Sequence, residues 1–204
     1  MIIGVDFDNT IVCYDGPFRK LAVQQGLAPD NIPGAKNAVR DYLRQIGQED
    51  RWTELQGYTY GPGMSAARLF PGVLEFFDRC RRVGQEVFII SHRTRYPFLG
   101  PRHDLHQAAR DFLAEHGFHD PARIGLGADH IHLCESLAEK VTRVNQAGCT
   151  HFIDDLPEVL AAVELRADVE KMLFDPNGQH ADSPGVRRFA SWRTIENHLL
   201  GDAS

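Results

Sequence analysis

The sequence predicts an α/β fold, a parallel β-sheet with helices on both faces and a small α-helical cap, and three observations support it. Short apolar runs alternate with amphipathic helical stretches, and this alternation is typical of strands joined by helical crossovers. Polar residues suited to catalysis follow the ends of several apolar runs. Finally, residues 14–70 break the alternation after the first strand and differ in composition.

The insertion after the first strand defines the predicted domain organisation. Residues 14–70 are rich in Gln, Gly, Tyr and Pro, with helix-like stretches near 18–25 and 36–46 and no convincing strand. Clusters of such residues between regular segments indicate turns and loops. We therefore predict a Rossmann-like core formed by residues 1–13 and 71–204, with a small α-helical cap inserted at residues 14–70.

The elements of the predicted core follow from the spacing of apolar residues. A short apolar run indicates a buried strand, and a period near 3.6 residues indicates a helix. Strands are predicted at residues 2–5, 87–90, 131–133, 151–153 and 172–174. Helices are predicted at residues 71–84, 104–116 and 137–148 and onward from Pro157. In an open parallel sheet, ligands bind beyond the carboxyl ends of the strands, and we expect the site there.

Charge and hydropathy exclude several classes of function. The 204 residues carry a formal net charge of −6, whereas nucleic-acid binders usually show a basic balance, so we expect no nucleic-acid partner. No apolar run is long enough to span a bilayer. The first residues lead straight into Asp6 without the pattern of a signal peptide. We therefore expect a cytoplasmic protein with no membrane contact.

The cysteines and histidines give no metal-binding pattern. The four cysteines are scattered, without the paired spacing of a zinc site or the density of a disulfide scaffold. They are Cys13, Cys80, Cys134 and Cys149. We expect all four to be reduced and structural. The ten histidines contain no HExxH-type pair.

Two carboxylates directly after the first strand, Asp6 and Asp8, form the first candidate catalytic pair. Asp is common in turns, so one interpretation is that the pair only caps the turn that follows. The functional interpretation is that Asp6 attacks phosphorus and forms an aspartyl-phosphate. Asp8 then protonates the leaving alcohol and later deprotonates the hydrolytic water. We expect Thr10 to hold this loop by a hydrogen bond to nearby backbone or to Asp8.

A second pair of carboxylates, Asp154-Asp155, follows a later apolar strand. A phosphate dianion and an attacking carboxylate repel each other, and a cation between them relieves that repulsion. Mg²⁺ prefers oxygen ligands from one or two carboxylates, waters and substrate phosphate. We predict that Asp6 and Asp154 hold Mg²⁺ together with the backbone carbonyl of Asp8. The pair also suits the N-cap of a helix at Pro157, and the two interpretations are compatible.

Two single residues complete the candidate site. Ser91 follows a strand, where its hydroxyl and N–H suit a phosphoryl oxygen, although a serine there is commonly only a turn residue. Lys140 lies fourteen positions before Asp154, and its charge would stabilise the nucleophile and the transferring phosphoryl group. The alternative is a solvated surface lysine paired with Glu135 or Glu139.

The segment after Ser91 is basic, and it supplies further candidate substrate-binding residues, His92, Arg93 and Arg95. Arg93 or Arg95 would grip a second anionic group, because the guanidinium fork suits carboxylate or phosphate. The alternative is a solvated basic loop that balances acidic neighbours. If an arginine grips the substrate, the substrate carries another negative group, as a nucleotide or a phosphorylated sugar acid does.

These residues resemble the four motifs of the haloacid-dehalogenase-like (HAD) hydrolases. The motifs occur in the order of that superfamily, and the resemblance covers the chain from end to end. It rests on the segment Asp6–Thr10, on Ser91, on Lys140 and on the pair Asp154-Asp155. The first motif is specific, whereas the second and third are single residues.

The resemblance implies a catalytic role for each motif. Asp6 corresponds to the nucleophile and Asp8 to the general acid and base. Ser91 corresponds to the phosphate-binding hydroxyl and Lys140 to the stabilising lysine, with Arg143 as a nearby alternative cation.

The resemblance also implies a metal site and a reaction. Asp154 corresponds to the metal ligand, and Asp155 to a ligand through water or a partner of the ligand shell. Dehalogenase members typically lack the acid at the position of Asp8, and phosphonatases usually have a small residue there. The expected activity is therefore Mg²⁺-dependent hydrolysis of a small phosphomonoester, of the sugar phosphate or nucleotide class. The alternatives are a phosphomutase or other phosphotransferase, and a non-catalytic binding module on the same fold.

The insertion at residues 14–70 corresponds to the helical cap of the family. A lid of this kind excludes water and selects the leaving group. Four of its residues are candidates to meet substrate: Tyr58, Tyr60, Met64 and Arg68. The alternative is that they pack against the helices of the cap itself.

Overall fold

The computed structural model describes residues 1–201, and its central feature is a six-stranded parallel sheet. Its strands are β1 Ile2–Val5, β4 Glu86–His92, β5 Ile131–Cys134, β6 His151–Asp154, β7 Glu170–Phe174 and β8 Val186–Phe189. They lie in the order β5-β4-β1-β6-β7-β8. Each neighbouring pair is parallel, so the carboxyl ends of all six strands lie at one edge.

Eight α-helices, two short 3₁₀-helices (Pro62–Ala66 and Ala128–His130) and two further short strands complete the regular structure of residues 1–201. The helices are α1 Pro17–Gln24, α2 Lys36–Gln45, α3 Glu49–Tyr60, α4 Val73–Arg82, α5 Leu105–Glu115, α6 Leu137–Gln146, α7 Pro157–Leu160 and α8 Trp192–Leu200. The short strands, β2 Val12–Cys13 and β3 Arg68–Leu69, form a separate two-stranded sheet. The predicted α/β class with a Rossmann-like parallel sheet is confirmed. Within residues 1–201, no helix combines the length and apolar character needed to cross a membrane.

The chain divides into two compact units. The core unit comprises Met1–Ile11, Leu69–Arg93 and the chain from Gly117 onward. The helical unit comprises Val12–Arg68 and Thr94–His116. The helical unit therefore contains residues 14–68 of the predicted insertion and, in addition, residues 94–116, which the sequence analysis assigns to the core; residues 69 and 70 belong to the core unit.

Close packing explains why the segment 94–116 belongs to the helical unit. A Cβ atom at Gly57, on α3, would lie 2.7 Å from Cβ of Pro97. A Cβ at Gly61, just after α3, would lie 2.9 Å from Cβ of His103. Real Cβ contacts are longer than these, so the two glycines allow the segment before α5 to approach the end of α3.

The core unit is held by two groups of buried side chains. One is mostly aliphatic and lies around α6 and α7, and it includes Val141, Val144, Val159 and Leu160 together with Phe152. The other is aromatic and joins α4, β7 and α8 through ring contacts among Phe76, Phe77, Phe174 and Trp192. Backbone pairing places β1 and β6 at the centre of the sheet, and close packing of these side chains stabilises the core unit. All four cysteines are buried and form no disulfide, as predicted.

Besides the short strands β2 and β3, the helices α3 and α8 and the strand β8 were missed by the sequence analysis. α3 contains Gly57 and distributes its four buried residues, Trp52, Leu55, Gly57 and Thr59, without a clean stripe. β8 is an edge strand with an exposed side, which accommodates Arg187 and Arg188. These residues interrupt the apolar run that would predict a strand. α8 follows β8 in the chain and was not predicted either. The prediction of no strand in residues 14–70 is wrong at the end of that segment, where β3 pairs with β2.

Candidate active site

The predicted site residues of the core unit lie at the carboxyl edge of the sheet. Asp6 follows β1, and its N–H donates to the carbonyl of Ile153 at 2.9 Å. This bond continues the pairing of β1 with β6, whose last residue is Asp154. Ser91 is the next-to-last residue of the neighbouring strand β4. Parallel pairing therefore brings residues far apart in sequence to one edge, as expected.

Lys140 joins the two buried carboxylates. Its Nζ lies 2.6 Å from Oδ1 of Asp6 and 2.6 Å from Oδ2 of Asp154. The Lys140 side chain is only 2% exposed, which excludes the alternative of a solvated surface lysine. Glu139 instead accepts a hydrogen bond from the backbone N–H of Glu135. Lys140 is thus the cation that contacts Asp6.

Burial and neighbouring charges act in opposite directions on the pKa values of Lys140 and Asp154. Burial lowers the pKa of Lys140, but the carboxylates of Asp154 and Asp6 outweigh it and raise that pKa above its ordinary value. Burial raises the pKa of Asp154 to about 7; Lys140 opposes the rise and Asp6 reinforces it. The N–H of Leu156 also donates to Oδ1 of Asp154 at 3.0 Å. Lys140 and the N–H of Leu156 therefore do not fully offset the cost of ionising the buried carboxyl group of Asp154.

Three carboxylates form a group suited to a hard cation. One carboxylate oxygen from each of Asp6, Asp154 and Asp155 lies within 4.8 Å of the others. With the ammonium of Lys140, the group carries a net charge of −2 when all are ionised. An all-oxygen donor set of this charge fits Mg²⁺. The Asp8 carboxylate is outside this group, which leaves only its backbone carbonyl for the predicted metal site.

Three buried hydroxyls have no hydrogen-bond partner among residues 1–201. Two belong to Ser91 and Thr10 of the core unit, and the third, that of Thr59, lies in the helical unit. The predicted hydrogen bond from the Thr10 side chain is therefore wrong. The loop is held through its backbone instead, because Nε1 of Trp192 donates to the Thr10 carbonyl at 3.0 Å. Buried polar groups normally have partners, and exceptions need a reason such as a bound ligand.

Arg93 and Asp8 form an ion pair that the sequence did not predict. Nη1 of Arg93 lies 2.5 Å from Oδ1 of Asp8. The guanidinium also lies 5.6 Å from the ring centroid of Phe7. The Arg93 side chain is 2% exposed and that of Asp8 is 18% exposed. The alternative of a solvated basic loop is thus wrong for Arg93.

The other two basic candidates have different surroundings. His92 is the last residue of β4 and is exposed. Arg95 belongs to the helical unit, where its Nε lies 3.0 Å from Oδ2 of Asp104. Asp104 in turn caps α5 by accepting from the N–H of Gln107. Arg95 therefore supports the start of α5 within its own unit.

The candidate residues of the predicted cap differ in their packing. Tyr60 packs against the rings of Tyr14 and Phe18, and the Tyr14 hydroxyl donates to the sulfur of Met64. Tyr58 is partly exposed and contacts His103 edge to face. Arg68 is exposed at β3. Tyr60 and Met64 thus serve internal packing, the alternative that the sequence left open. A cleft of about 410 Å³ in this unit is lined by Gly61, Pro62, Met64, Ser65, His103, Asp104, Gln107, Ala108, Asp111, Phe112 and Glu115.

Comparisons with known proteins address the fold. No protein-family model and no curated protein matches the chain. Solved structures match nearly all of it. A dehalogenase structure has 12% identity and a TM-score of 0.58, covering 99% of this chain and 97% of that one. A HAD family hydrolase from Deinococcus radiodurans R1, with bound phosphate and sodium, has 16% identity and a TM-score of 0.58, covering 97% and 94%.

A third structure is the putative HAD-hydrolase YfnB from Bacillus subtilis, bound to magnesium. It has 10% identity and a TM-score of 0.53, and the match covers 98% of both chains. The chain has the HAD-like fold. Identities this low establish the fold alone, and the chemistry of this HAD-like chain has to be argued from its own residues.

Two contacts at this candidate site could not be predicted from the sequence. The ion pair of Arg93 with Asp8 joins residues 85 positions apart, and the bond from Trp192 to Thr10 spans 182 positions. The only sequence signal for the first was a basic run after Ser91. For the second there was none, because α8 itself was not predicted.

Proposed function

We propose that the protein is an Mg²⁺-dependent phosphatase that hydrolyses a small phosphomonoester through an aspartyl-phosphate on Asp6. One observation carries the proposal. The Asp6 carboxylate lies within 4.8 Å of those of Asp154 and Asp155 and is paired with the buried Lys140. A fold gains little stability from three buried charged groups beside the partly buried Asp155, because the desolvation of buried charges costs about as much as their pairing returns. A nucleophile and a cation site account for the arrangement.

The first step is attack by Asp6 on phosphorus. Oδ1 of Asp6 is held by Lys140, and we assign the attack to Oδ2. A bond forms between this oxygen and phosphorus while the bond from phosphorus to the leaving alcohol breaks. The hydroxyl of Ser91, buried and without a partner in residues 1–201, would donate to a phosphoryl oxygen. Lys140 would offset the negative charge that accumulates around Asp6.

Asp8 manages the protons of both steps. Its carboxyl gives a proton to the leaving oxygen, which departs as the alcohol. The resulting carboxylate then takes a proton from a water molecule that attacks the aspartyl-phosphate. Inorganic phosphate leaves, Asp6 is restored as a carboxylate, and Asp8 is protonated again. Both steps use the same residue in opposite directions.

The residues present fit the metal ion that this chemistry needs. Asp6 and Asp154 would hold Mg²⁺, with Asp155 binding directly or through water. Bound Mg²⁺ supplies positive charge that offsets the repulsion between the phosphate and the attacking carboxylate. Support comes from the all-carboxylate donor set, its net charge and the raised pKa of the buried Asp154.

Asp8 favours phosphate ester hydrolysis over dehalogenation. Halide leaves carbon without a proton, so a dehalogenase has no use for a second acid beside the nucleophile. Here Asp8 lies two residues after Asp6, and the buried Arg93 forms an ion pair with it. We propose a small phosphorylated molecule as the substrate, because the net charge of −6 disfavours a polynucleotide.

The test is phosphate release from a panel of sugar phosphates, nucleotides and other phosphomonoesters, with Mg²⁺ or with chelator. Wild type is compared with Asp6→Asn and with Asp168→Asn. Asp168 is a matched control, because it is 71% exposed and its ion pair with Arg166 lies in a surface loop. We expect Mg²⁺-dependent release by wild type and Asp168→Asn. Asp6→Asn should be inactive.

Two outcomes would contradict the proposal. Folded wild type that releases no phosphate from any compound with Mg²⁺ present would favour a mutase or a non-catalytic binding protein. Release that persists in Asp6→Asn would show that another group attacks phosphorus.

A further inference from the structure

Arg93 occupies an unusual position for an arginine. Its side chain is 2% exposed and its Nη1 lies 2.5 Å from Oδ1 of Asp8. Its backbone N–H donates to the carbonyl of Cys134 at 2.8 Å, at the end of β5. The residue is therefore fixed at both its backbone and its guanidinium.

The burial of Arg93 demands a reason. Removing a guanidinium from water is costly, and pairing it with one carboxylate returns about what the desolvation takes. Arg93 is not a flexible arginine that reaches out to a substrate. Its guanidinium instead contacts one oxygen of a carboxylate side chain through Nη1, and a charge-assisted hydrogen bond of this kind limits the orientations open to that carboxylate.

We propose that Arg93 is a positioning residue that holds the Asp8 carboxyl in the orientation needed for proton transfer to the leaving group. This inference rests on the proposed function. It replaces the sequence-based interpretation in which Arg93 grips a second anionic group of the substrate.

The proposal assigns Arg93 to one part of the reaction. The P–O bond to the alcohol breaks as the proton moves from Asp8 to the leaving oxygen. The carboxylate left on Asp8 retains the guanidinium as its partner, so the new negative charge is not left alone in a half-buried site. Leaving groups that depart readily as anions need this proton least. Aliphatic alcohols need it most.

The test is the dependence of kcat/KM on the leaving group. The series comprises ring-substituted phenyl phosphates, with p-nitrophenyl phosphate as the best leaving group, and the best aliphatic phosphomonoester of the panel. Wild type, Arg93→Met, Asp8→Asn and the double variant are compared. Arg82→Met is the matched control, because Arg82 also pairs with an aspartate but is 73% exposed on α4.

The expected result is a loss selective for poor leaving groups. Arg93→Met should lose about 10²-fold on the aliphatic ester, the cost of misplacing a reacting group, and much less on p-nitrophenyl phosphate. Asp8→Asn should show the same selectivity with a larger loss. In the Asp8→Asn background, Arg93→Met should add no further dependence on the leaving group. Arg82→Met should match wild type.

Other outcomes would overturn the inference. An equal loss for every leaving group would mean that Arg93 binds the phosphoryl group or only supports the fold. An additive loss in the double variant would mean that Arg93 acts independently of Asp8. Wild type that hydrolyses none of the compounds would overturn the proposed function and this inference with it.

A second variant guards against misfolding of a protein that lacks a buried cation. Arg93→Lys keeps the charge but offers no planar fork. Thermal unfolding followed by circular dichroism verifies the fold of each variant. If Arg93→Met does not fold, Arg93→Lys decides, and we expect it to show the same selectivity at a smaller magnitude. Wild-type behaviour of a folded Arg93→Lys on the aliphatic ester would contradict a positioning role for the fork.

Discussion

Nζ of Lys140 donates to Oδ1 of Asp6 over 2.6 Å, although 134 residues separate the two in sequence. The same nitrogen lies 2.6 Å from Asp154, so one cation serves two carboxylates from different strands. All three side chains are at most 5% exposed. A buried charge that loses its partner is costly. The pairing of Lys140 with Asp6 and Asp154 therefore links the stability of the fold to the charges at the candidate site.

Replacement of Lys140 should affect both stability and catalysis. Lys140→Met keeps the length of the side chain but leaves Asp6 and Asp154 without their shared cation. We expect the free energy of unfolding at neutral pH to fall by about 3–5 kcal/mol, as for other broken buried ion pairs. We expect kcat to fall by about 10²-fold or more. Denaturant unfolding and phosphate release measure the two effects. A variant as stable as wild type would contradict the buried pairing.

The ionisation of Asp154 predicts how the metal-free protein responds to pH. Burial raises the pKa of Asp154 to about 7, above the ordinary value of 3.8. The folded state therefore binds a proton more tightly than the unfolded state. The stability that this proton contributes is fully present below about pH 4 and is lost as the pH rises through about 7.

Asp154→Asn provides the comparison for this pH effect. With chelator present, wild type should lose more stability than Asp154→Asn between about pH 5 and about pH 8, because asparagine does not ionise. Mg²⁺ should restore the stability of wild type at the higher pH, since a ligand that binds only the folded state stabilises it. Mg²⁺ should have little effect on Asp154→Asn. Equal pH dependence in the two proteins would contradict the assignment.

Removal of the Ser91 hydroxyl should separate stability from activity. This hydroxyl is buried and has no partner within residues 1–201, so it contributes a desolvation cost and no compensating bond. Ser91→Ala should leave the free energy of unfolding unchanged or raise it by up to about 1 kcal/mol. Phosphate release should fall by about 10²-fold, as when one donor to a developing oxyanion is lost. A destabilised but fully active Ser91→Ala would show that the hydroxyl is structural.

The bond from Trp192 to the Thr10 carbonyl should matter beyond the burial of the ring. Trp192→Phe retains an aromatic side chain beside Phe76 but loses the donor of the 3.0 Å bond. Trp52→Phe is the control, because Trp52 is equally buried, in the helical unit, and packs against Phe18. We expect Trp192→Phe to cost about 1–2 kcal/mol more than the control, because a buried carbonyl loses its partner. Equal thermal shifts would contradict this.

A methyl group at Gly57 should destabilise the helical unit. Alanine normally favours a helix over glycine by about 1 kcal/mol. At Gly57, however, the new Cβ would lie 2.7 Å from Cβ of Pro97, and overpacking of this kind costs about 1–3 kcal/mol. Gly34→Ala is the control, since nothing lies within 4 Å of a Cβ there. We expect a lower melting temperature for Gly57→Ala alone. A stabilised Gly57→Ala would contradict the close approach.

Much of the core could be predicted from the sequence, because its elements carry strong local signals. The apolar run before Asp6 and the helix that ends before Gly148 are such elements, and the structure places both as predicted. The position of the polar residues followed from one general rule, that parallel strands share a carboxyl edge. The sequence predicts Lys140 as a candidate cation but does not predict its burial.

The remaining features depend on contacts that leave no local signal. β8 was missed because Arg187 and Arg188 mask its strand character at an exposed edge. The place of residues 94–116 in the helical unit depends on two glycines of α3 and its end, Gly57 and Gly61, whose partners lie 40 or more positions away. The orientation of Arg93 toward Asp8 is likewise set by tertiary contacts, because the local sequence is compatible with both a buried arginine and a solvated basic loop.

The most direct test of the central claim is to trap the phosphorylated enzyme. Wild type is mixed with its best substrate and Mg²⁺, quenched in acid during turnover, digested and analysed by mass spectrometry. The account predicts one added phosphoryl group on the peptide that contains Asp6, and none in Asp6→Asn. A phosphoryl group on any other residue, or its absence from a wild-type enzyme that turns over with a burst of alcohol release, would contradict Asp6 as the nucleophile.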